Sequence, residues 1–558
     1  KLKTEPVSDY ELQKAKNRFR ADHVLGAQSI TSFGRMMGWF EISAGDPEFW
    51  DKYLDDIDQV TAADVKRVAN EYFADTNRTV GVLIPTGGPA SSSAAPGTEG
   101  PGIAGPAREY AYSSSRAPAG DAVSGHDEVS IDEFPPIEFS SRVQRTVLHN
   151  GLVVLVYENH AFPSVSVEGR IRVGGSYSDP EGKGGLGKLV AASVRRGTKT
   201  DTYEEINEKL EFVGASIEFV AGNETSVFSG EFLKKDFSMG MELMADMLTE
   251  PSFPEEALEI ERGVALAEYT ALQKNHRRRA WNAFMELFYE GHPYGNPVTG
   301  TPEGLESITR DDLVSFHGDV YRPDRTMIAI AGDVTRDQAV SMVRETLGDW
   351  RAPDDEPFSP PPPPDSKELR EKAIEMPQKM QGVFYMGYPA PLPDAPDYEA
   401  FSMMTDILAG TDLTSRLYTS VREKEGLVYY VYGFDLAKTA ASSFQVTAGT
   451  APQNFMKTIN LIREEIRNIQ SEPVGEKELA DAKSFAVGRL PMSIETNDAV
   501  ASTILDFEYH GRPFEDVDNF ARIVKDITAS DIMDAAGKYL HPDRYVLGVA
   551  GPRIPAGE

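Results

Sequence analysis

The sequence predicts an α+β protein built from repeated units, in which helices cover antiparallel sheets. Stretches that alternate apolar and polar residues precede longer stretches with helical apolar spacing. Similar segments also recur along the chain at a constant offset, which indicates repeated structural units. The length of 558 residues, with 40% hydrophobic and 26% charged residues, suits roughly three or four ordinary globular domains.

The internal repeats predict three related units. The segment from Pro6 (PVSDYELQKAK) matches that from Pro473 (PVGEKELADAK), and the segment from Val60 matches that from Ile527. Both pairs lie 467 residues apart (473 − 6 and 527 − 60). A third copy begins at Ile308. Each copy predicts a threonine N-cap, an aspartate at the third helical position, an amphipathic helix and then an apolar strand.

Two low-complexity segments separate these units. The first is rich in Gly, Pro, Ala and Ser, and the second contains five consecutive prolines. The predicted divisions are an incomplete C-terminal part of a preceding domain (1–85), a flexible linker (86–138), a complete unit (139–355), a proline-rich linker (356–370) and a last unit (371–558). Because the first copy lacks its N-terminal part, we expect the chain to begin inside a domain, as a processed product would. Residues 1–85 are then not expected to fold independently.

Local patterns predict the individual elements in order. Asn150-Gly151 is a tight-turn signal between two apolar stretches, and predicts a hairpin whose second strand covers 151–157. Alternation predicts a further strand over 165–173. Helical apolar spacing predicts helices over 237–248 and 455–469.

Composition excludes several classes of function. The formal charge of −32 disfavours binding to nucleic acid or to anionic membranes. Without cysteine the chain has no disulfide, thiolate metal site or cysteine nucleophile. No stretch of 18 apolar residues is present, so we expect a soluble protein that does not span a membrane. The compartment stays open between the bacterial periplasm and the cytoplasm.

Motifs of the middle unit occur in a characteristic order. A glycine-rich loop (174–188) enters a helix that is predicted to run through Arg196, and is followed by FPEE (253–256), ERGVALAE (261–268) and HPYGNPVTGT (292–301). This order resembles the M16 metallopeptidases, the group of pitrilysin, insulin-degrading enzyme and mitochondrial processing peptidase. The resemblance covers essentially the whole chain outside the linkers. It implies that two homologous α+β domains form one half of a clamshell, whose two halves enclose a chamber where peptides are cut at a zinc ion.

The zinc motif of that family is lost in this sequence. The family has His-x-x-Glu-His after Gly-Leu-Ala, whereas here Lys188, Ala191 and Ala192 stand at the first ligand, general-base and second ligand positions. Glu268 is retained at the third ligand position. A catalytic zinc needs three protein ligands, so we expect no metal in this chain and a surface or paired carboxylate at Glu268.

Other motifs offer no replacement site. None of the nine histidines lies three or four residues from another, and His292 is expected to be structural within its His-Pro-Tyr-Gly turn. The glycine loop over 182–187 lacks the ending of a phosphate-binding loop.

The last unit retains a different feature of the family. A segment that ends a helix with Arg422 and opens a strand with Tyr429 is similar to the family segment whose arginine and tyrosine reach the zinc held by the other half. The resemblance implies that both contact the substrate carbonyl as it becomes an oxyanion, as fixed donors can. From spacing alone, Arg422 could be a solvated helix-end cation and Tyr429 a core residue of its strand.

Two functions therefore follow from the sequence. In the first, the chain is the zinc-free half of a metalloendopeptidase, inactive alone and completed by a zinc-bearing M16 fragment or subunit that acts on peptides. Such an assembly would be a heterodimer, and the two parts could arise by proteolytic processing of one precursor. In the second, the chain is a non-catalytic scaffold or peptide-binding subunit.

Overall fold

A computed structural model describes residues 1–82, 131, 134–352, 369–411 and 413–553. Internal contacts divide the chain into two units, residues 1–124 with 207–216 and residues 125–206 with 217–558. Most of the predicted linker over 86–138, and all but the last two residues of that over 356–370, lie outside the described residues. Among the described residues, no helix is long and apolar enough to cross a membrane.

The first unit contains four complete helices around a small aromatic core. They are α1 (Asp9–Gly26), α2 (Ile30–Ala44), α3 (Phe49–Gln59) and α4 (Ala62–Tyr72). The His23 ring stacks on Trp50 with centroids 3.4 Å apart, and Phe40 is 2% exposed against the ring of Tyr53. The strand predicted after α4 is not formed in the described residues 73–82.

The second unit contains two sheets. We name the parts of the chain around them by the predicted divisions, the zinc-type domain (139–355) and the C-terminal domain (371–558). Residues 207–216, which internal contacts group with the first unit, fall within the first of these ranges. In the zinc-type domain the strands are β1 (Val143–Val147), β2 (Val153–Glu158), β3 (Ser164–Arg172), β4 (Ser216–Ala221), β5 (Thr225–Leu233) and β6 (Thr326–Gly332). Its helices are α5 (Leu186–Ser193), α6 (Tyr203–Val213), α7 (Phe237–Thr249), α8 (Glu255–Lys274), α9 (His276–Phe288), α10 (Pro302–Ser307), α11 (Arg310–Val320) and α12 (Arg336–Leu347).

The C-terminal domain follows residues 353–368, which lie outside the described residues. Its strands are β7 (Arg370–Glu375), β8 (Gly382–Ala390), β9 (Val428–Leu436), β10 (Ser442–Thr450) and β11 (Val546–Gly551). Its helices are α13 (Tyr398–Ala409), a π-helical segment (Tyr418–Lys424), α14 (Phe455–Ser471), α15 (Glu476–Ser493), α16 (Asn497–His510), α17 (Glu515–Asp518), α18 (Phe520–Asp526) and α19 (Ala529–Tyr539). The predicted α+β class, with largely antiparallel sheets covered by helices, is confirmed.

The two sheets share one topology. The zinc-type sheet has the order β1-β2-β6-β3-β5-β4 and the C-terminal sheet the order β7-β11-β8-β10-β9. Each contains one parallel pair, β2–β6 and β7–β11, beside antiparallel neighbours. Apart from the additional strand β1, the strands correspond one to one, as the repeated sequence predicts.

Most locally encoded features are found where the sequence places them. β1 and β2 pair through the turn at Asn150-Gly151, where Gly151 has φ of +90°. Capping boxes begin α4, α11 and α19, which confirms the predicted threonine–aspartate pattern in all three copies. The helix predicted to run through Arg196 is shorter, because α5 ends at Ser193 and a turn follows.

A helix from each of the two domains packs on the sheet of the other domain. Helix α9 packs on the C-terminal sheet, where the absent side chain of Gly548 lets Ala280 O lie 2.4 Å from the position that a Cβ would occupy. Helix α16 packs on the zinc-type sheet, and the buried Asn497 donates to Ser164 Oγ over 3.1 Å. The two domains therefore share their cores.

Three of the four helices of the first unit begin at positions that match helices near the end of the chain, whereas α3 corresponds to the two short helices α17 and α18. Helix α1 begins 467 residues before α15 (476 − 9), α2 begins 467 before α16 (497 − 30), and α4 begins 467 before α19 (529 − 62). The offset is the one found in the sequence repeats. The same local sequence therefore forms the same helices in both places.

Candidate functional site

The glycine-rich loop positions the helix that carries the zinc motif in related proteins. Asp179 accepts hydrogen bonds from the backbone N–H groups of Gly185 and Gly187, both over 2.7 Å, and so caps the start of α5. Gly185 has φ of +99°, a conformation that only glycine adopts readily. Burial raises the pKa of Asp179 to about 6, although these hydrogen bonds act in the opposite direction.

Two carboxylates of α8 face this helix, and both are paired with cations of the same chain. The Lys188 ammonium contacts a carboxylate oxygen of Glu268. Two turns earlier, Glu261 is 9% exposed and accepts a hydrogen bond from Arg196 Nε over 2.6 Å. The Arg196 guanidinium also lies 4.4 Å from the Tyr203 ring centroid. The carboxylate at the predicted third ligand position is therefore paired with the side chain at the predicted first ligand position.

The residues at this position do not fit a zinc ion. A protonated lysine offers no lone pair, and Ala191 and Ala192 carry no donor atom. Glu268 alone supplies one of the three protein ligands that zinc requires. Within the ranges the structure describes, no group of three His, Cys, Asp or Glu side chains could hold a metal ion.

Arg422 and Tyr429 lie together at the edge of the C-terminal sheet. The Arg422 guanidinium carbon is 4.7 Å from the ring centroid of Tyr418 and 5.6 Å from that of Tyr429. Tyr429 lies near the start of the edge strand β9 and is 77% exposed, so the alternative that it is a core residue is wrong. Neither the guanidinium nor the Tyr429 hydroxyl has a hydrogen-bond or ion-pair partner within the described part of the chain.

A second cation–aromatic contact on the same strand was not singled out from the sequence. The Arg277 guanidinium of α9 lies 5.4 Å from the ring centroid of Tyr430 and 5.7 Å from that of Tyr432. The tyrosine-rich stretch from 429 to 432 was the available signal, but the arginine comes from the other domain and lies about 150 residues earlier in sequence.

His292 has the structural role that its turn suggested. It is 5% exposed, and its Nδ1 accepts a hydrogen bond from Tyr294 N over 3.2 Å. The Tyr294 hydroxyl in turn donates to Glu224, which also accepts from Thr439 N over 3.0 Å. This network joins the β4–β5 loop of one domain to the β9–β10 loop of the other, and sequence reasoning did not find it.

Two protein-family models match the sequence of this chain. Residues 153–302 match the model described as insulinase, peptidase family M16. Residues 307–485 match that described as the peptidase M16 inactive domain. The chain belongs to peptidase family M16.

Related M16 proteins carry two kinds of name. An uncharacterized zinc protease of Mycobacterium leprae is 26% identical over 432 residues, which cover 74% of this chain and 92% of that protein. A protein of Helicobacter pylori named as a non-peptidase homolog is 24% identical over 404 residues, with 72% and 92% covered. The names of the relatives thus include both proteases and a protein without peptidase activity.

Solved structures share the M16 fold. The peptidase M16 inactive domain of Pseudomonas fluorescens superposes with a TM-score of 0.70 at 24% identity, covering 75% of this chain and all of that one. The periplasmic protease PqqL of Escherichia coli superposes with a TM-score of 0.64 at 15% identity, covering 75% of this chain and 48% of that one. At these identities the likeness concerns the fold.

Proposed function

We propose that this chain is the zinc-free part of an M16 metalloendopeptidase, and that Arg422 and Tyr429 contact substrate bound at a zinc site held by a partner half. The observation that carries the proposal is that, among the residues the structure describes, the Arg422 guanidinium is unpaired and lies beside the exposed Tyr429, whose hydroxyl has no partner.

The geometry suits stabilisation of an oxyanion. Contact with the rings of Tyr418 and Tyr429 restrains the guanidinium while leaving its N–H groups available. Donors that are fixed before the reaction cost no reorganisation when negative charge develops on a substrate carbonyl oxygen. Arg422 and Tyr429 would each donate to that oxygen.

Exposed apolar side chains of the first unit support a partner half. Phe73 is 64% exposed, whereas Leu540, its counterpart 467 residues later, is fully buried. Val82 is 74% exposed, whereas its counterpart Val549 is 1% exposed within the C-terminal sheet. We propose that residues 1–82 are the C-terminal part of a preceding M16 domain, and that a zinc-bearing polypeptide supplies the strands that cover these residues.

The test uses the assembly co-purified from its source and a quenched fluorescent peptide. Tyr429→Phe removes one donor, and loss of one such donor lowers turnover by roughly 100- to 1000-fold. We expect the loss in kcat rather than in KM, because the hydrogen bond strengthens in the transition state. Arg422→Lys should also be harmful, because an ammonium lacks the planar fork of a guanidinium.

Tyr432→Phe is the matched control. Tyr432 lies on the same strand, and its hydroxyl has no hydrogen-bond partner in the part of the chain that the structure describes. We expect its turnover to equal that of the wild type, with zinc content unchanged in all variants. Wild-type turnover in both Tyr429→Phe and Arg422→Lys would refute the proposed role.

A non-catalytic scaffold is the second candidate. The lost zinc ligands and the relative named as a non-peptidase homolog favour it. Zinc analysis of the co-purified assembly separates the candidates, since a scaffold complex would contain no stoichiometric zinc and would cleave no peptide.

A further inference from the structure

A cavity of about 330 Å³ lies where the two domains of the second unit meet. Its volume is at the small end of the range for pockets that hold organic molecules. The β9–β10 loop contributes Lys438 and Thr439, the β4–β5 loop contributes Glu224, and the end of α16 contributes Tyr509 and His510. None of these residues takes part in the proposed oxyanion contacts.

Lys438 is the most unusual residue of this cavity. It is only 8% exposed, and its ammonium has neither a hydrogen bond nor an ion pair among the residues that the structure describes. Its Nζ instead lies 5.4 Å from the ring centroid of Tyr294. Burial lowers the pKa of Lys438, partly offset by the charge of Glu224. A buried, unpaired lysine is costly for a protein unless another group satisfies it.

The Arg172 guanidinium is a second cationic group at the cavity, and its N–H donors are unused among the described residues. The Arg172 side chain is exposed, and its guanidinium carbon lies 5.7 Å from the Tyr509 ring centroid. It makes no hydrogen bond or ion pair with the described residues. Lys438 and Arg172 together therefore offer N–H donors suited to a carboxylate.

The cavity also presents unused acceptors. All three hydrogen bonds to Glu224, from Tyr294 and twice from Thr439, go to Oε1, so Oε2 has no partner in the described part of the chain. His510 Nδ1 lies 3.0 Å from Asp506 O and so must donate the proton, which leaves Nε2 as an acceptor in the neutral ring. That Nε2 is buried and has no partner within the described residues.

We propose that this cavity binds a small zwitterion, a free amino acid or a dipeptide, with its carboxylate on Lys438 and Arg172 and its ammonium on Glu224 and His510. A dianion such as phosphate suits the site less well, because Glu224 and Asp394 also line it. The proposal rests on the cavity alone, so it applies equally to a peptidase half and to a scaffold.

The test measures binding to the full chain by isothermal titration calorimetry, with diglycine, N-acetylglycine and glycinamide as probes. These carry both charges, only the carboxylate, and only the ammonium. We expect diglycine to bind at least about tenfold more tightly than either of the others, since each charge-assisted contact contributes a comparable factor. Equal affinity for diglycine and N-acetylglycine, or no diglycine binding up to about 10 mM, would overturn the proposal.

Two substitutions assign the binding to this cavity. Lys438→Met keeps most of the buried side-chain volume and should weaken diglycine binding at least about tenfold. Arg172→Met, on an exposed side chain that folding does not require, should weaken it in the same direction. The control Lys477→Met, at a lysine whose side chain is 76% exposed on α15, should bind diglycine as the wild type does. Unchanged affinity in both cavity variants would overturn the assignment.

Discussion

The contact between Lys188 and Glu268 predicts that the lost metal site can be rebuilt with two substitutions. Positions 188 and 192 are four residues apart on α5 and so share a face of the helix, and the carboxylate of Glu268 already reaches the side chain at 188. Lys188→His with Ala192→His would therefore place two imidazoles and one carboxylate around one point, the donor set of a three-ligand zinc site. Ala191 is left unchanged, so the variant gains no general base.

The cost of the change is small compared with the gain from metal. The Lys188 and Glu268 side chains are 22% and 41% exposed, and ion pairs this accessible contribute at most about 1 kcal/mol. Zinc at about 100 times its dissociation constant stabilises a folded protein by about 2.7 kcal/mol. Because we expect the two domains to unfold together, each kcal/mol should raise the melting temperature by only roughly 1–2 °C, which predicts a rise of about 3–5 °C on adding zinc.

The assay is elemental analysis after dialysis, together with thermal denaturation with and without zinc. The double variant should hold one zinc per chain and cleave no peptide. Adding Glu268→Gln should abolish the metal, because only two protein ligands then remain. A double variant that folds, as judged by circular dichroism, but takes up no zinc would show that α5 and α8 are not disposed as described.

Three further predictions concern stability. His317 donates from Nε2 to Leu248 O, and burial lowers its pKa to about 4. Because the unfolded ring binds a proton below about pH 6.5, the free energy of unfolding should fall by about 3 kcal/mol between pH 6.5 and 4. Denaturation measured over this pH range should show a smaller fall in His317→Gln. Gly169→Ala would place a Cβ 1.9 Å from the Phe228 ring and should lower the free energy of unfolding by about 1–3 kcal/mol in a denaturant titration. Gly263→Ala is the control, because a Cβ at this position in helix α8 would have no atom within 4 Å. Its higher helix propensity should raise the free energy of unfolding by about 0.5–1 kcal/mol. Asn497→Ala should cost about 1–3 kcal/mol by removing the hydrogen-bond partner of the buried Ser164 and the half-buried Asn159. A melting temperature equal to the wild type would contradict the described contact between α16 and β3.

Features encoded locally were predictable from the sequence. The three threonine–aspartate capping boxes depend on side chains three residues apart, and the turn at Gly151 depends on a dipeptide. Loss of the zinc motif was equally visible, because its positions lie within one helix turn of each other.

Features that join distant segments were not predictable in the same way. Lys188 and Glu268 are 80 residues apart, and the sequence indicated only that the carboxylate would be paired or on the surface. The exposure of Tyr429 could not be predicted from its strand, which is rich in residues typical of a core. Such a pattern does not distinguish an edge strand from a central one. Lys438 lies in a short loop between two strands, a position where lysines are usually solvated, and its burial depends on a loop of the other domain.

The exchange of α9 and α16 gives the zinc-type domain a structural role that does not depend on metal binding. Removing the zinc-type domain would also remove α9, and the face of the C-terminal sheet that carries Tyr385 and Val546 would then be bare. The domain that carries Arg422 and Tyr429 therefore depends for its shape on a helix of the zinc-type domain. Because each sheet is completed by the other domain, we expect the pair to unfold as one cooperative body, without a hinge between them. If the chain works in the proposed peptidase assembly, motions that admit a peptide would then have to occur at another boundary of that assembly.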